Sequence, residues 1–337
     1  MKKRNGWFLK IITVVLTLFF LFPVISVLFP GKFSYSIYRW AMDCVIASHE
    51  TRLCQTQSCA AKRIFEYVVN HEFLQGTPYP CKPLESLIYG EAYCDFQART
   101  LNMLLTAAGI RSRYAMLLDK NGISPHTLNE VYLNKKWRVF DPAFNIIFKD
   151  TDGQMATLEQ LSEQPDIITN NIRVMAKNEI DVNRRAVDAS WYRGLFPLPL
   201  EPRRSKPDID KLNVFQRLTK LYCRLFGSAY YDFYQDAYLF FKQREIKQDD
   251  LRLFYLARNY HLAYRKKPAL KYYQRLLAEY PQSKYTQDAV FFLGIFYFEV
   301  EKDFPRAIAF FNRINEKYPD KWGKAAGNYL GKLWYAK

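Results

Sequence analysis

The sequence has no charged residue from Ile11 to Pro30 and only four histidines in 337 residues. The absence of charge excludes a solvated N-terminal segment and leaves either a membrane-spanning helix or a buried core helix. Twenty uncharged residues match the thickness of a bilayer, and Pro23 is tolerated inside a spanning helix. The basic flank and the terminal position favour the first structure, so we predict a transmembrane anchor over residues 1–31.

A signal-peptidase site is also lacking. The stretch VISVLFPGKFSYS, residues 24–36, offers no convincing small-x-small pattern, which disfavours the rival interpretation as a cleaved signal peptide. Four basic residues precede the apolar run, and only Lys32 and Arg39 follow it closely. The positive-inside rule therefore predicts a single-pass membrane protein with a cytoplasmic N-terminus and the bulk of the chain in the periplasm or outside the cell.

Acidic residues are scarce, with 33 aspartates and glutamates against 49 lysines and arginines. Residues 201–337 carry 26 basic and 15 acidic residues, a net charge of +11, whereas residues 32–200 carry 19 and 18, a net charge of +1. In an exported chain such a basic part suits an anionic envelope component, either lipid, polysaccharide or acidic protein, and we expect no nucleic-acid partner. An ordinary solvated basic face is the alternative.

Apolar residues are abundant at 49%, including 26 Phe and 25 Tyr, so a sizeable core and about two domains are expected. The six cysteines can form disulfides outside the cytoplasm. We predict at least one disulfide among the four upstream of Cys94, which are Cys44, Cys54, Cys59 and Cys81. Cys54–Cys59 is locally feasible, Cys94 is expected to stay free, and the three possible pairings of the four remain open.

The stretch GEAYCDFQARTLNMLLTAAGI, residues 90–110, predicts an amphipathic helix that begins at Cys94. Leu101, Leu104, Leu105 and Ala108 recur at helical spacing, and Gly109 follows as a stop. A thiol at a helix N-terminus loses its proton more readily than a free one, although the neighbouring Asp95 opposes this. A small buried hydrophobic residue is the plain alternative for a lone cysteine.

A hairpin is predicted in SPHTLNEVYLNKKWRVFDPAF, residues 124–144. A two-residue turn at Asn134–Lys135 pairs Leu133 with Lys136, which sets Asp141 opposite Leu128. Leu128 shares a strand face with His126 because side chains alternate with a period of two. His126 and Asp141 are therefore expected to be diagonal neighbours on one face.

Cysteine, histidine and aspartate in this order, 32 and 15 residues apart, resemble the transglutaminase-like superfamily over about residues 60–150. The resemblance implies a papain-like α+β core, in which a nucleophile helix packs on an antiparallel sheet, and a triad of Cys94, His126 and Asp141. It implies no cofactor, and the sequence has no evident calcium or other metal site. The Cys94 N–H is one candidate donor for an oxyanion, and the sequence identifies no second donor.

The C-terminal third is helical and repeats with a period of 37 residues. Leu256 aligns with Leu293, and the pair Leu293-Gly294 recurs as Leu330-Gly331. This pattern resembles the tetratricopeptide repeat family over residues 250–333, with small residues where paired helices approach. Such arrays bind other proteins along a concave face, and a prop for the neighbouring domain is the alternative.

The predicted organisation is an anchor at 1–31, a transglutaminase-like catalytic domain at 32–195, a linker at 196–207 and a helical repeat domain at 208–337. The resemblance implies an envelope-exposed thiol enzyme that acts on amide or peptide bonds of a protein or peptide, by transamidation or hydrolysis through a thioester. The alternative is a non-catalytic envelope scaffold in which the papain-like domain and the repeats mediate protein–protein assembly.

Overall fold

The computed structural model describes residues 13, 17, 21, 24, 32–74, 83–177, 194–196, 198 and 200–335. The chain forms two compact units, of which the smaller comprises residues 1–45 and 213–247. The larger comprises residues 46–212 and 248–337, so it contains both the predicted catalytic segment and the predicted repeats.

The secondary structure of the described residues is mainly helical. The α-helices are α1 (Lys32–Thr51), α2 (Gln57–His71), α3 (Pro83–Tyr89), α4 (Cys94–Ala107), α5 (Leu158–Glu163), α6 (Pro165–Lys177), α7 (Val214–Lys242), α8 (Asp249–Leu262), α9 (Lys266–Glu279), α10 (Lys284–Phe296), α11 (Phe304–Lys317) and α12 (Lys324–Tyr335). The strands are β1 (Phe73–Leu74), β2 (Glu91–Ala92), β3 (Ser112–Leu117), β4 (His126–Leu133), β5 (Lys136–Asp141), β6 (Ile146–Ile147) and β7 (Arg203–Arg204).

An antiparallel sheet of order β6-β5-β4-β3-β7 lies in the larger unit. The β4–β5 hairpin pairs Leu133 with Lys136, as the sequence predicts. Its turn residues Asn134 and Lys135 have φ values of 50° and 63°, the left-handed conformation that a tight two-residue hairpin requires. Strand β7 comes from the segment predicted to be a linker, and it pairs with β3 at one edge of this sheet.

Helix α4 follows the predicted pattern, with Leu101, Leu104 and Leu105 fully buried and Gly109 just beyond its end at a φ of 82°. The Asn129 side-chain amide donates to the Ala98 carbonyl at 2.8 Å and so ties β4 to this helix. The packing of one helix against an antiparallel sheet agrees with the predicted α+β core.

Helices α8 to α12 form the predicted repeats. Some of the small residues lie where helices approach closely, and others do not. Ala257, Ala269 and Ala307 are fully buried, and a Cβ at Gly294 would overlap the Phe311 ring. At Gly331 an added Cβ meets nothing within 4 Å. The expectation that small residues mark close helix approaches is therefore wrong at Gly331, because no described group lies near enough to exclude a side chain there.

Helix α7 lies outside the repeats, in the smaller unit with residues 32–45 of α1. The Trp40 indole N–H donates to the Gln216 carbonyl at 2.8 Å, and the Tyr38 and Tyr238 rings stack at 4.0 Å. Gly227, at a φ of 57°, kinks α7. Aromatic stacking and burial therefore hold this helix pair together.

Within the described residues no helix is both long and apolar enough to cross a membrane. The predicted span over residues 11–30 falls outside that set except at positions 13, 17, 21 and 24.

One disulfide, Cys54–Cys59, joins residues whose Cα atoms lie 5.5 Å apart. Cys94 is a free thiol, as are Cys44 and Cys223. The prediction of a disulfide upstream of a free Cys94 is confirmed, and Cys81 lies outside the described residues.

Candidate active site

Cys94 is the first residue of α4, at a sharp junction between a strand and a helix. Strand β2 runs parallel to β1, with Phe73 opposite Glu91, and Tyr93 then caps the helix in an extended conformation. The N–H groups of the first helical turn have no acceptor within the helix, and the helix dipole favours negative charge there. The half-buried Cys94 thiol therefore lies at the positive end of the α4 dipole.

His126 and Asp141 meet as the hairpin register requires. The His126 Nε2 atom and the Asp141 Oδ2 atom lie 2.7 Å apart, and both side chains are buried. The second carboxylate oxygen of Asp141 accepts the backbone N–H groups of Ala143 at 3.1 Å and Phe144 at 3.3 Å. Backbone donors thus fix the carboxylate, and the carboxylate fixes the orientation of the imidazole.

The Cys94 thiol lies close enough to His126 to contribute to the pKa of the imidazole. Burial alone would lower the pKa of His126, but the charge and hydrogen bond of Asp141, together with the Cys94 contact, raise it to about 10. These interactions favour the protonated form of the imidazole.

Charged contacts at Glu130 hold the sheet behind the site. Glu130 is fully buried, and its Oε2 atom accepts from Arg113 Nε and from Arg204 Nε, each at 2.8 Å. The Arg113 guanidinium lies over the Trp137 ring, 4.1 Å from its centroid. Glu130 thereby fastens the short edge strand β7 to β4, a role that the sequence did not reveal because Arg204 belongs to the predicted linker.

A buried acidic residue at the end of α2 holds the first turns of α4. Gln97 donates its side-chain amide to the Glu72 carbonyl at 2.9 Å, and Thr100 donates its hydroxyl to Glu72 Oε1 at 2.9 Å. Ser86 donates to the same carboxylate oxygen. Three segments of chain are thus joined at one carboxylate, next to the helix that begins with Cys94.

A cavity of about 400 Å³ opens beside the His126 end of the sheet. Its wall includes Leu117, which pairs with His126 across β3 and β4, and Pro125, which precedes that histidine. Leu195 and Phe196 approach from a distant part of the chain. The sequence pattern gave no signal for this cavity, since its walls come from segments about 70 residues apart.

The described residues contain no cluster of three or more His, Cys, Asp or Glu side chains arranged to hold a metal ion. The arrangement at Cys94 is one of acid–base and nucleophilic groups: a thiol at a helix N-terminus, an imidazole and a buried carboxylate. Such an arrangement can generate a thiolate and return a proton to a leaving group.

Comparison with known families agrees with these observations. No curated protein and no solved structure matches the chain. Residues 253–283 and 288–321 match the model described as tetratricopeptide repeat, which covers α8 to α11. Residues 46–142 match the model described as transglutaminase-like superfamily, and this match ends one residue beyond Asp141. The chain therefore combines a transglutaminase-like superfamily region with tetratricopeptide repeats, as the sequence motifs indicate.

Proposed function

We propose that this protein is a thiol enzyme that cleaves or exchanges amide bonds of a protein or peptide, with Cys94 as nucleophile, His126 as acid–base and Asp141 as the group that orients the imidazole. The observation that carries the proposal is the buried His126–Asp141 pair, 2.7 Å apart, with a helix-N-terminal Cys94 close enough to act on the pKa of the imidazole. A purely structural cysteine has no need of a buried imidazole–carboxylate pair.

The reaction follows from these positions. The Cys94 thiolate, paired with the His126 imidazolium, attacks the carbonyl carbon of the amide. The oxyanion that forms accepts a hydrogen bond from the Cys94 backbone N–H, at the positive end of the α4 dipole. His126 then gives its proton to the departing amine, the C–N bond breaks and a thioester remains on Cys94. Water or an amine, deprotonated by His126, attacks the thioester and releases the acid or the new amide.

The proposal includes an envelope location with an N-terminal membrane anchor and the catalytic region on the outer side. The charge-free run at residues 11–30 and the basic residues before it support this topology. The Cys54–Cys59 disulfide also supports it, because such bonds persist outside the cytoplasm. A reporter fused to the C-terminus is expected to signal outside the cytoplasm, and a cytoplasmic signal would contradict the topology.

The tetratricopeptide repeats indicate protein–protein interaction. We propose that their partner is an acidic protein or another anionic envelope component, since residues 248–337 carry 16 basic and 9 acidic residues, a net charge of +7. Capture from envelope fractions by the full chain should then weaken as salt rises, because screening shortens to about 8 Å at 0.15 M. Capture that is unchanged by salt would contradict an electrostatic partner surface.

The experiment that tests the proposed chemistry is the capture of the thioester. The protein is incubated with envelope peptides, quenched in acid and digested, and the Cys94 peptide is examined by mass spectrometry for an added acyl group that hydroxylamine removes. Cys223→Ser is the matched control, since it removes another free thiol and should retain the adduct. An adduct absent from the wild type, or still present elsewhere in Cys94→Ala, would overturn the proposal.

A further inference from the structure

The segment that leads into Cys94 is held by the helical repeats. Arg258 of α8 is fully buried and donates its Nε to the Ile88 carbonyl at 2.9 Å and its Nη2 to the Leu87 carbonyl at 2.6 Å. The same guanidinium lies over the Phe292 ring, 3.6 Å from its centroid. Both accepting carbonyls lie at the end of α3, where helix carbonyls lack partners of their own.

A second cation engages the next part of this segment. Lys321, in the π-helical turn Pro319–Gly323, pairs with Glu91 at 2.6 Å and with Asp288 at 2.9 Å. Glu91 is nearly buried and lies three residues before Cys94. Burial lowers the pKa of Lys321, but Asp288 and Glu91 outweigh this and raise it, so the ammonium stays charged at neutral pH.

The repeats also approach the backbone between these two contacts. Gly90 has a φ of 74°, and a Cβ there would overlap the Phe292 ring. The neighbouring strand is covered as well, because the Phe73 ring packs edge-on against Phe291 at 5.5 Å and Trp322 at 5.4 Å. Only glycine allows this close approach together with a left-handed backbone.

These contacts converge on residues 87–91, which end three residues before the thiol. Strands β1 and β2 are only two residues long each, so their own pairing constrains this segment weakly. A module that served only to bind partners would not need a fully buried arginine and an ion pair to the buried Glu91, both directed at the strand before Cys94.

We propose that the helical repeats are a positioning element for the nucleophile: Arg258 and Lys321 hold residues 87–91 and thereby set the distance from the Cys94 thiol to His126. This inference rests on the proposed function, since it assigns the repeats a role in the same site. Neither cation touches a substrate, and both act through the backbone and Glu91.

The test compares Lys321→Met with Lys332→Met. Lys332 donates to the Asn70 side chain at 3.2 Å, so its substitution removes a contact between the repeats and the core that does not involve residues 87–91. The measurement is the rate of Cys94 alkylation by iodoacetamide from pH 5.5 to 9, resolved by peptide mass spectrometry, with thermal unfolding recorded for each variant.

Lys321→Met should slow alkylation at pH 6.5 about tenfold or more and move the profile toward that of a free cysteine near pH 8.5, because the imidazolium no longer faces the sulfur. Lys321→Arg should restore most of the rate, and Lys332→Met should keep the wild-type profile. If Lys321→Met fails to fold, Glu91→Gln weakens the same contact while Asp288 still binds Lys321. A folded Glu91→Gln or Lys321→Met with the wild-type profile would overturn the inference.

His126→Ala separates this failure from failure of the proposed function. If His126→Ala changes the profile and the Lys321 and Glu91 variants do not, the triad stands and the positioning role falls. If His126→Ala leaves the profile unchanged, the proposed chemistry itself is wrong.

Discussion

The two halves of the candidate site are held in place by different physics. His126 and Asp141 lie in one hairpin, 15 residues apart, and a two-residue turn and the ladder between β4 and β5 set their geometry. Cys94 lies at the end of a segment that Arg258 and Lys321 fasten from about 165 to 230 residues later in the chain. The His126–Asp141 pair is thus built by local pairing, and the segment before the Cys94 thiol is held by long-range packing.

This difference predicts how each half can be disturbed. The geometry of His126 and Asp141 should be insensitive to substitutions elsewhere in the chain and should change only with substitutions in the hairpin itself. The position of Cys94 should change with substitutions in the repeats, which lie far from it in sequence.

Asp141→Asn should leave the fold intact and lower turnover strongly, by up to about 10⁴-fold as in a related triad, because the imidazole is then held in the wrong tautomer. The measurement is the single-turnover rate on a peptide amide. Asp150→Asn, in the turn after the sheet, is the control and should leave the rate unchanged. A loss of less than threefold, on the order of a surface substitution, would show that Asp141 does not act through His126.

Arg258→Met should lower the free energy of unfolding by about 2–4 kcal/mol, because the Leu87 and Ile88 carbonyls are left buried without a donor. Urea denaturation followed by circular dichroism measures the change. Arg275→Met, which breaks an exposed ion pair with Glu279, should give no measurable change. Equal stability of the two variants would mean that water replaces the guanidinium and that the repeats do not fasten this segment.

The pH dependence of the free energy of unfolding should report the protonation of His126 in the hairpin. Burial opposes the charge on His126, but Asp141 and Cys94 raise its pKa to about 10 in the folded chain, above the ordinary 6.5. Its proton therefore contributes stability in full below pH 6.5, and that contribution disappears as the pH rises toward 10.

The difference in unfolding free energy between the wild type and His126→Gln should accordingly shrink by more than about 1 kcal/mol from pH 6 to pH 10. Denaturant titrations of both proteins at several pH values supply the numbers. A difference that is constant over this range would mean that His126 is not protonated in the folded state.

The smallest effect is expected at the hairpin turn. Lys135 has a φ of 63°, so Lys135→Gly should raise stability by about 1 kcal/mol by removing the left-handed strain. Lys135→Val should lower it, since a β-branched residue fits this conformation poorly. Thermal unfolding measures the stability of both variants. If glycine is also more stabilising than valine at Lys136, outside the turn, the turn conformation is not the cause.

The same division explains what the sequence could predict. Residues 126–141 contain the two-residue turn, the alternating side chains and the Leu133–Lys136 pairing that fixes the strand register. The contact between His126 and Asp141 therefore followed from local rules. The helix beginning at Cys94 and the repeats followed from periodicity in the same way. By contrast, the contacts of Glu91 with Lys321 and of Glu130 with Arg204 join charged residues that no short pattern connects.

The sequence also gave no sign that helix α7 belongs to the smaller unit. Helix α7 falls within the predicted repeat domain, 208–337, because it is helical, basic and contiguous with the repeats. In the structure its aromatic face packs on Tyr38 and Trp40 of α1. Periodicity shows that a helix has a buried face, and it does not show which distant segment covers that face.

Site-resolved alkylation measures whether a protonated His126 activates the Cys94 thiol. Wild type and His126→Ala are treated with iodoacetamide between pH 5.5 and 9, and the rate at the Cys94 peptide is followed by mass spectrometry with Cys223 as an internal reference. The wild type should react rapidly at pH 6, whereas His126→Ala should react only as the pH approaches about 8.5, the value for free cysteine. Superimposable profiles for the two proteins would contradict the account and leave Cys94 as a helix-end thiol without a base.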